Sequence, residues 1–468
     1  MINVPSFRPN PDFPELCDKV TVGWDEKRGR YIEAKEDIPL GTVVCVEQGI
    51  TVNIDPTKCY RCLLDIEDRQ FAYCKNCEEF YEPDGLACGE FDQLGIFKLA
   101  AHLVFSYPFT DIVELLKADD PEPPKSAPTS LRSSDISAVL QLKPFLGIGD
   151  AFRMPQIQEA IKKMVDGLKE EDVNWKRLED QSRLITFTKV LRIMAERCVK
   201  NAHTIYSIEQ RENPKNNAPL GTGLFPISAI FNHSCTPNVS AFFIRNTFIF
   251  VSHGVKAGDE LVDSYGVTLS QNTLQERTDF LSSVSGFQCH CDACVTQKDM
   301  VNLLDPCCNP ERCSKSSQSV MDISDFLEHL EPGHKDIEGL ITAFARRSDS
   351  DVYTEKMFLM WKMFIENANL RGIVYDPYLI RPNIEMTVLA WNDLVEVTEE
   401  EKMSLLLVSH RMLQNLFADL HPLSRFVNRL KSAVEQKKDR EIRTALEKLD
   451  YVVRHIWKCE SRPSSRNH

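Results

Sequence analysis

Two parts of the chain carry the short, β-branched apolar runs that are typical of strands. The first is residues 18–52, where Gly and Pro separate three such runs: Val20–Trp24, Tyr31–Ala34 and Thr42–Val46. The second is residues 220–266, in which two apolar runs on either side of a turn at 245–247 predict a β-hairpin. The sequence therefore predicts strands in two distant parts of the chain.

Helical periodicity fills much of the remaining chain. Apolar residues recur with helical spacing in residues 91–107 and 155–202, and one face of the second stretch is formed by Phe187, Val190, Leu191, Met194 and Cys198. Residues 118–135 are rich in Pro, Ser and Asp, which predicts a flexible loop. After residue 320, amphipathic segments without a strict period predict a stacked helical domain, and these are Glu355–Asn367, Met386–Val395, Glu401–Asp419, Leu423–Gln436 and Arg440–Trp457.

Length and charge narrow the class of protein. The chain has 468 residues, and its 55 Lys and Arg against 69 Asp and Glu give a net charge of −14. This length accommodates about three domains, and the contents of 43% hydrophobic and 26% charged residues exclude a disordered, collagen-like or coiled-coil chain. The acidic balance argues against a nucleic-acid binder that neutralises phosphates. It suits either basic protein partners or a solvated surface that aids solubility.

The sequence contains no recognisable targeting signal. The segment MINVPSFRPN lacks a basic region followed by an apolar one, and no run of 18 apolar residues exists. We therefore expect no membrane span and an intracellular location that is cytoplasmic, nuclear or both. In such a reducing compartment, clusters among the 16 cysteines are metal ligands more often than disulfides.

The first cysteine cluster consists of two Cys-x2-Cys pairs that are separated by eleven residues. The four cysteines are Cys59, Cys62, Cys74 and Cys77. This spacing can place four thiolates around one Zn²⁺, and the alternative is four free, buried cysteines. Cys88 lies beyond the pairs and is either a further ligand or no ligand.

A second cluster, Cys289, Cys291 and Cys294, supplies three thiolates within six residues. A structural zinc site requires four ligands, so one must come from elsewhere. Cys235 and His290 are the candidates for that fourth position. A third group is either a metal site or a set of loop cysteines, and its members are Cys307, Cys308 and Cys313.

Three motifs resemble those of a known family. The segments GTGLFPISAIFNHSCTPNV (Gly221–Val239), GDELVDSYG (Gly258–Gly266) and GFQCHCDAC (Gly286–Cys294) resemble the SET and post-SET motifs of protein-lysine methyltransferases. The first cysteine cluster, which follows the first predicted strands, resembles the MYND finger of the SET and MYND domain-containing (SMYD) subfamily. The helical end of the chain is similar to that subfamily as well.

The resemblance implies an α+β fold with a SET domain of short β-sheets that is split by insertions. The implied boundaries are 18–58 for the N-terminal part of the SET domain, 59–88 for a reduced MYND-like zinc finger, 89–200 for a helical insert, 201–270 for the C-terminal part of the SET domain, 271–300 for the post-SET zinc region and 301–468 for a helical C-terminal domain. In this family the segment with the active-site tyrosine threads through a loop and forms a pseudoknot, which is an exception to the general absence of knots.

The cofactor that the resemblance implies is S-adenosylmethionine. The positions that match the family's cofactor-binding residues are Gly29, Arg30, Tyr31, Asn201, Asn232 and His233. The last two form the Asn-His motif, and the first three occupy the N-terminal cofactor-binding turn. That turn is commonly Gly-x-Gly in the family, whereas the third residue here is a tyrosine. Its side chain restricts the close backbone approach that glycine permits.

The implied catalytic residues are Tyr265, which matches the active-site tyrosine, and Phe287, which matches the aromatic wall of the lysine channel. Methyl transfer requires a neutral amine, and deprotonating a lysine of pKa 10.4 at pH 7 costs about 4.6 kcal/mol. Burial between aromatic walls lowers the pKa of the amine. A phenol can also align the amine through a hydrogen bond.

The family's post-SET zinc site matches Cys235, Cys289, Cys291 and Cys294, so the resemblance implies that Cys235 is the fourth ligand. A full MYND finger holds two zinc ions, whereas this chain offers only the two Cys-x2-Cys pairs and Cys88. We therefore expect a reduced finger and about two structural zinc ions per chain.

These motifs predict an S-adenosylmethionine-dependent protein-lysine N-methyltransferase that acts on a histone tail or another protein. We expect no direct binding to nucleic acid or membranes. The alternative is a SET-like interaction protein with weak catalysis, which Tyr31 and the reduced finger favour. Such a protein would recruit chromatin or cytosolic partners, and cofactor binding with methyl transfer distinguishes the two hypotheses.

Overall fold

The structure is a computed structural model. It describes residues 4, 6–54, 73–74, 79–80, 95–105, 107, 112, 125–168, 180–205, 220–269, 272–297, 377–393, 397–418 and 420–451. The strands are β1 (Val20–Asp25), β2 (Gly29–Ala34), β3 (Val43–Gln48), β4 (Thr51–Ile54), β5 (Tyr73–Cys74), β6 (Glu79–Phe80), β7 (Ala202–Ile205), β8 (Gly221–Leu224), β9 (Asn232–His233), β10 (Val239–Ile244), β11 (Thr247–Ser252) and β12 (Glu260–Asp263).

Helices precede and follow the second group of strands. They are α1 (Ile96–Phe105), α2 (Ile136–Leu140), α3 (Pro155–Leu168), α4 (Asp180–Asn201), α5 (Leu274–Phe280), α6 (Asp292–Val295), α7 (Pro377–Trp391), α8 (Glu399–Phe417), α9 (Pro422–Glu435) and α10 (Asp439–Tyr451). Short 3-10 helices cover Leu146–Arg153 and Ser228–Ile230, and a π-helix covers Leu281–Ser285. None of the helices in the described ranges is long and apolar enough to cross a membrane.

Strands from the two distant regions of the chain share sheets. One sheet has the order β1-β2-β12-β9, which we call the site sheet, and another has the order β10-β11-β3, which we call the core sheet. A third sheet has the order β4-β8-β7, and β5 pairs with β6. Each of the first three sheets therefore joins strands from before residue 55 to strands from after residue 201.

The predicted strands and hairpin are confirmed, with small shifts at their ends. The three strands predicted in residues 18–52 are β1, β2 and β3, and the hairpin is β10 and β11. The turn was predicted over three residues, but Thr247 already pairs with Ile244, so only two residues connect the strands. Arg245 enters this turn with a φ of 57°, the left-handed region that tight turns use.

The predicted helices are also present wherever the structure describes the chain. The helix predicted over 91–107 begins at Ile96, and the stretch 155–202 contains α3 and α4, with residues 169–179 outside the described ranges. The four later amphipathic segments correspond to α7–α10. The predicted segment Glu355–Asn367 lies outside the described residues.

The core sheet is covered on both faces, which explains why every residue of β11 is buried. Ile249 and Val251 pack in a cluster with α7–α10, whereas Phe248 and Phe250 pack in a second cluster with β1 and β2. A strand with two covered faces needs a continuous apolar run rather than an alternating one. The helical end of the chain is thereby attached directly to the β-sheets.

Candidate active site

The Asn-His motif lies beside the strand that leads to Tyr265. Asn232 and His233 form β9, which pairs in parallel with the end of β12. Asn238 anchors the loop after β9, because its side chain exchanges two hydrogen bonds of 2.8 Å with the backbone of β12. Two motifs that are about thirty residues apart in sequence therefore meet at one sheet edge. The predicted threading of one segment through the other stays a prediction.

The side-chain amide of Asn232 is held by two acceptors. Its Nδ2 donates to the carbonyl oxygen of Arg30 at 3.0 Å and to Oε1 of Glu260 at 2.8 Å. The first of these bonds joins the Asn-His motif to the N-terminal turn of the sequence prediction. Two groups of predicted cofactor residues, from β2 and β9, thus contact each other.

Arg30 points its side chain toward the helical insert. Its guanidinium donates to the carbonyl oxygen of Gln141 at 2.8 Å, and also to the amide oxygen of that residue at 3.4 Å. Burial lowers the pKa of Arg30 to about 10. Among the described residues it forms no ion pair. A partly buried cation that touches only neutral acceptors favours a nearby anion.

Tyr31 and Asn201 make other contacts. The Tyr31 ring stacks under the guanidinium of Arg28, whose Cζ lies 3.5 Å from the ring centroid. Asn201 ends α4, where its Nδ2 donates to the carbonyl oxygens of Lys143 at 3.0 Å and Arg197 at 2.7 Å. Within the described part of the chain, no hydrogen bond or ring contact joins Tyr31 or Asn201 to Asn232 or His233, and the cofactor roles of these two residues stay predictions.

His233 links the strand pair to Tyr265. Its Nδ1 accepts a hydrogen bond of 3.0 Å from the backbone N–H of Tyr265, and its Nε2 lies 3.4 Å from Sγ of Cys235. Burial lowers the pKa of His233 to about 4. The imidazole is therefore neutral at physiological pH, and it positions the backbone at residue 265.

Tyr265 and Phe287 form an aromatic corner around His233. The Tyr265 hydroxyl donates to the carbonyl oxygen of Phe231 at 2.9 Å, and its ring meets that of Phe287 edge-on, with centroids 6.2 Å apart. Tyr265 keeps 38% of its surface exposed, which is high for a tyrosine whose hydroxyl is hydrogen-bonded inside the fold. Burial of the hydroxyl, with the carboxyl groups of Asp263 and Glu260 nearby, raises the pKa of Tyr265, so the phenol stays protonated.

A buried carboxyl group, Glu47, supports the acceptor of that phenol. Glu47 is fully buried, and its two oxygens accept from the backbone N–H groups of Ile227 at 2.9 Å and Ser228 at 2.6 Å. These bonds fix the start of the 3-10 helix Ser228–Ile230. Phe231, whose carbonyl oxygen accepts from Tyr265, directly follows that helix. Burial raises the pKa of Glu47 to about 8.

The sequence prediction missed Glu47 and Glu260. The signal for the first was a single acid inside the apolar run VVCVEQ of β3, since a lone charged residue in such a run needs buried partners. Nothing in the sequence next to Glu260 indicates its role, because its partners Arg28 and Asn232 are distant in sequence.

Four cysteines meet at the predicted post-SET centre. The sulfur atoms of Cys235, Cys289, Cys291 and Cys294 all lie within 4.8 Å of one another. Sγ of Cys235 lies 3.5 Å from that of Cys294 and 4.0 Å from that of Cys289. Tetrahedral zinc with Zn–S bonds of about 2.3 Å separates its sulfurs by about 3.8 Å, so the group can hold such an ion.

The surroundings of the four cysteines are compatible with a metal site. The backbone N–H of Cys291 donates to Sγ of Cys289 at 3.5 Å, which stabilises a thiolate. Val267 and Leu281 cover the cluster. Cys235, rather than His290, joins the three clustered cysteines, so the choice left open by spacing alone is settled at the level of geometry.

The predicted finger lies almost entirely outside the described residues. Cys59, Cys62 and Cys77 are not described, and for Cys74 only its place in β5 is. The cysteines without a predicted ligand role that the structure does describe are all buried: Cys17, Cys45 and Cys198.

Comparison with known proteins agrees with the motifs. Residues 29–266 match the SET domain family. This chain belongs to the SET domain family. SET domain-containing protein 3 of Caenorhabditis elegans is 61% identical over 458 residues, which cover 98% of each chain. The resemblance to SET proteins is therefore confirmed along the whole chain.

More distant similarities are either short or low in sequence identity. Human protein-lysine N-methyltransferase SMYD4 is 39% identical over 79 residues, 17% of this chain and 10% of that protein. A SET and MYND domain-containing protein of Dictyostelium discoideum is 32% identical over 102 residues, 22% of this chain and 26% of that one. A crystal structure of the SET domain of LSMT bound to lysine and AdoHcy covers 89% of this chain and 88% of its own at 11% identity, with a TM-score of 0.23.

Proposed function

We propose that this protein is an S-adenosylmethionine-dependent protein-lysine N-methyltransferase. The observation that carries the proposal is the junction of β9 and β12, where Asn232, His233 and Tyr265 meet within one SET domain. The short match to a protein-lysine N-methyltransferase, human SMYD4, supports the same reaction class.

The residues at this junction suit a cofactor that carries both a carboxylate and amino groups. The partly buried guanidinium of Arg30 is a partner for a carboxylate, and the amide oxygen of Asn232 is a partner for an N–H donor. S-adenosylmethionine supplies a methyl group on a positively charged sulfur. Neither partner alone identifies the ligand, but together they offer one partner for a carboxylate and one for an amine.

The aromatic corner suits a lysine side chain. The rings of Tyr265 and Phe287 provide apolar walls, which disfavour an ammonium ion and lower the pKa of an enclosed amine. Because the Tyr265 hydroxyl donates to Phe231, its oxygen is left to accept from the amine. We propose that this bond orients the amine nitrogen toward the methyl group, which is catalysis by positioning.

His233 does not act as the base in this scheme. Its Nδ1 accepts from the Tyr265 backbone, and its other nitrogen faces a cysteine of the metal centre. The metal is structural, and we propose zinc at the four-cysteine group, because four sulfur ligands suit a closed zinc site. A second zinc in the finger follows from the spacing of the two Cys-x2-Cys pairs.

We propose a lysine-bearing protein as the substrate, either a histone tail or another protein, in the cytoplasm or nucleus. The net charge of −14 supports lysine-rich targets over nucleic acid. The histone and non-histone alternatives differ only in the sequence around the lysine.

Two measurements test the proposal on the full chain. Isothermal titration with S-adenosylmethionine is expected to show saturable binding, and labelled methyl groups are expected to reach lysines on an array of histone and non-histone peptides. Binding without transfer to any peptide would favour the interaction protein with weak catalysis. A zinc-loaded, folded protein that neither binds nor transfers would refute the enzyme.

A further inference from the structure

The amide of Asn232 can be oriented in only one way. Its two neighbours, the carbonyl oxygen of Arg30 and the carboxylate of Glu260, both accept hydrogen bonds and donate none. The NH2 group must therefore face them, and Oδ1 must face away. Among the described residues, no hydrogen bond reaches Oδ1, so this oxygen is left to accept a bond from a ligand.

Glu260 is itself held from its other side. Its Oε2 accepts from Nη1 of Arg28 at 3.0 Å while Oε1 accepts from Asn232, so each oxygen has one partner. The side chain of Glu260 is 17% exposed. This exposure is low for a carboxylate on the first residue of β12, which is next to the edge strand of the sheet. One rigid carboxylate thus connects the cofactor motif to the β1–β2 turn.

Arg28 is fixed by two further contacts. Its Nε donates to Oδ2 of Asp25 at 2.6 Å, and its guanidinium lies 3.5 Å above the centre of the Tyr31 ring. Oδ1 of Asp25 also accepts from the backbone N–H groups of Lys27 and Arg28, which fixes the turn that carries the arginine. The cation is held by charge on one side and by an aromatic face on another.

The tyrosine that departs from the family's glycine pattern is accommodated by Gly23. The two residues lie opposite each other in the β1–β2 register, and a methyl group at position 23 would overlap the Tyr31 ring. The Tyr31 ring therefore occupies the space that a side chain at position 23 would fill. Its ring serves as the platform under Arg28.

We infer that Glu260 is a positioning residue for the ligand, which directs Oδ1 of Asn232 toward an N–H donor and is itself held by Arg28 on Tyr31. The inference rests on the proposed function, because the donor belongs to S-adenosylmethionine or its product. On this view the tyrosine supports cofactor binding rather than restricting it. Glu260 touches no reacting atom.

The test is the variant Glu260→Gln, because a glutamine offers a single acceptor where two donors need one each. Binding of S-adenosylhomocysteine is measured by titration calorimetry, and we expect it to weaken about 10- to 100-fold, as for loss of a charge-assisted hydrogen bond. Glu33→Gln is the matched control, because Glu33 pairs with Glu260 in register but lies outside the network, and it should bind as the wild type does.

Analogues of the ligand separate positioning from general damage. S-adenosylhomocysteine has two N–H donor groups, the amino acid amine and the 6-amino group of adenine. For an analogue that lacks the group bonded to Asn232, Glu260→Gln should bind as tightly as the wild type. An equal loss with both single-deletion analogues and the parent ligand would overturn the inference.

A second variant and the wild type complete the design. Arg28→Met should weaken binding about two- to fivefold, because Arg28 is partly exposed and its ion pair is screened. If the wild type itself does not bind the ligand, the proposed function fails. If the wild type binds and Glu260→Gln binds equally well, only the positioning role fails.

Discussion

The core sheet and the site sheet hold their strands in different ways. Every residue of β11 in the core sheet is buried, whereas both residues of β9 and three of the four in β12 of the site sheet keep some exposure. The site sheet replaces packing with hydrogen bonds from side chains, such as those of Asn232 and Asn238. We therefore expect stability to depend mainly on the core sheet, and the proposed ligand binding to depend on the site sheet.

The first prediction concerns the four-cysteine group at the end of the site sheet, which we propose holds zinc. Cys235→Ser removes the one ligand that precedes β12, and structural zinc binding is worth on the order of 10 kcal/mol. We expect the zinc content to fall by one ion per chain and the midpoint of thermal unfolding to drop sharply. Cys198→Ser, at a buried cysteine outside the centre, should retain the metal. Unchanged zinc content in Cys235→Ser would refute the assignment of this ligand.

The second prediction tests the core sheet. Phe250 is fully buried and stacks on Phe231 with ring centroids 4.3 Å apart. Phe250→Ala should lower the free energy of unfolding by about 3–5 kcal/mol, measured by urea denaturation. The smaller truncation Phe250→Leu, which keeps four of the seven side-chain carbons, should cost clearly less. Equal losses from Glu260→Gln and Phe250→Ala would contradict the division between the sheets.

The third prediction concerns Glu47, which joins the core sheet to the site. Glutamine at this position turns its NH2 group toward one of the two N–H donors, whereas the carboxyl group places an oxygen at both, so Glu47→Gln should cost about 1–3 kcal/mol in the free energy of unfolding. Glu33→Gln is a suitable control for the loss of one negative charge. No change in the unfolding free energy would show that the two bonds at Ile227 and Ser228 are dispensable.

The pH dependence of this effect has a definite sign. The pKa of Glu47 rises from 4.5 to about 8 on burial, so between those values the folded protein keeps a proton that the unfolded chain releases. The contribution of Glu47 is complete below pH 4.5 and declines as pH rises to about 8. The difference in unfolding free energy between the wild type and Glu47→Gln should therefore shrink from pH 5.5 to pH 8.5. A difference that grows over this range would contradict a neutral buried carboxyl group.

The sequence predicted the core sheet better than the site sheet, for a physical reason. Apolar runs such as Val239–Ile244 are typical of buried strands, so the ends of the core-sheet strands were predicted to within two residues. β9 has only two residues and no apolar periodicity, so no strand was predicted there. Its two residues were identified only through the Asn-His motif. Periodicity detects strands that are held by packing, and it is blind to strands that are held by side-chain hydrogen bonds.

The same distinction applies to individual site residues. Three of the four cysteines were predicted from their short spacing and Cys235 from the family resemblance, and the fold brings all four sulfurs within 4.8 Å of one another. Glu260 could not be predicted, because its role depends on Arg28 and Asn232 arriving from two other strands. The effect of Tyr31 was likewise hidden, since it depends on the glycine that faces it across the sheet.

The most direct test of the central claim is methyl transfer by Tyr265→Phe on the best peptide of the array. The variant keeps the ring against Phe287 and loses only the hydroxyl that Phe231 holds. We predict a fall in single-turnover rate of about 100-fold, with S-adenosylhomocysteine affinity and zinc content unchanged. Tyr107→Phe, in the helical core, serves as the control and should transfer normally. Unchanged transfer by Tyr265→Phe would contradict the assignment of the active site.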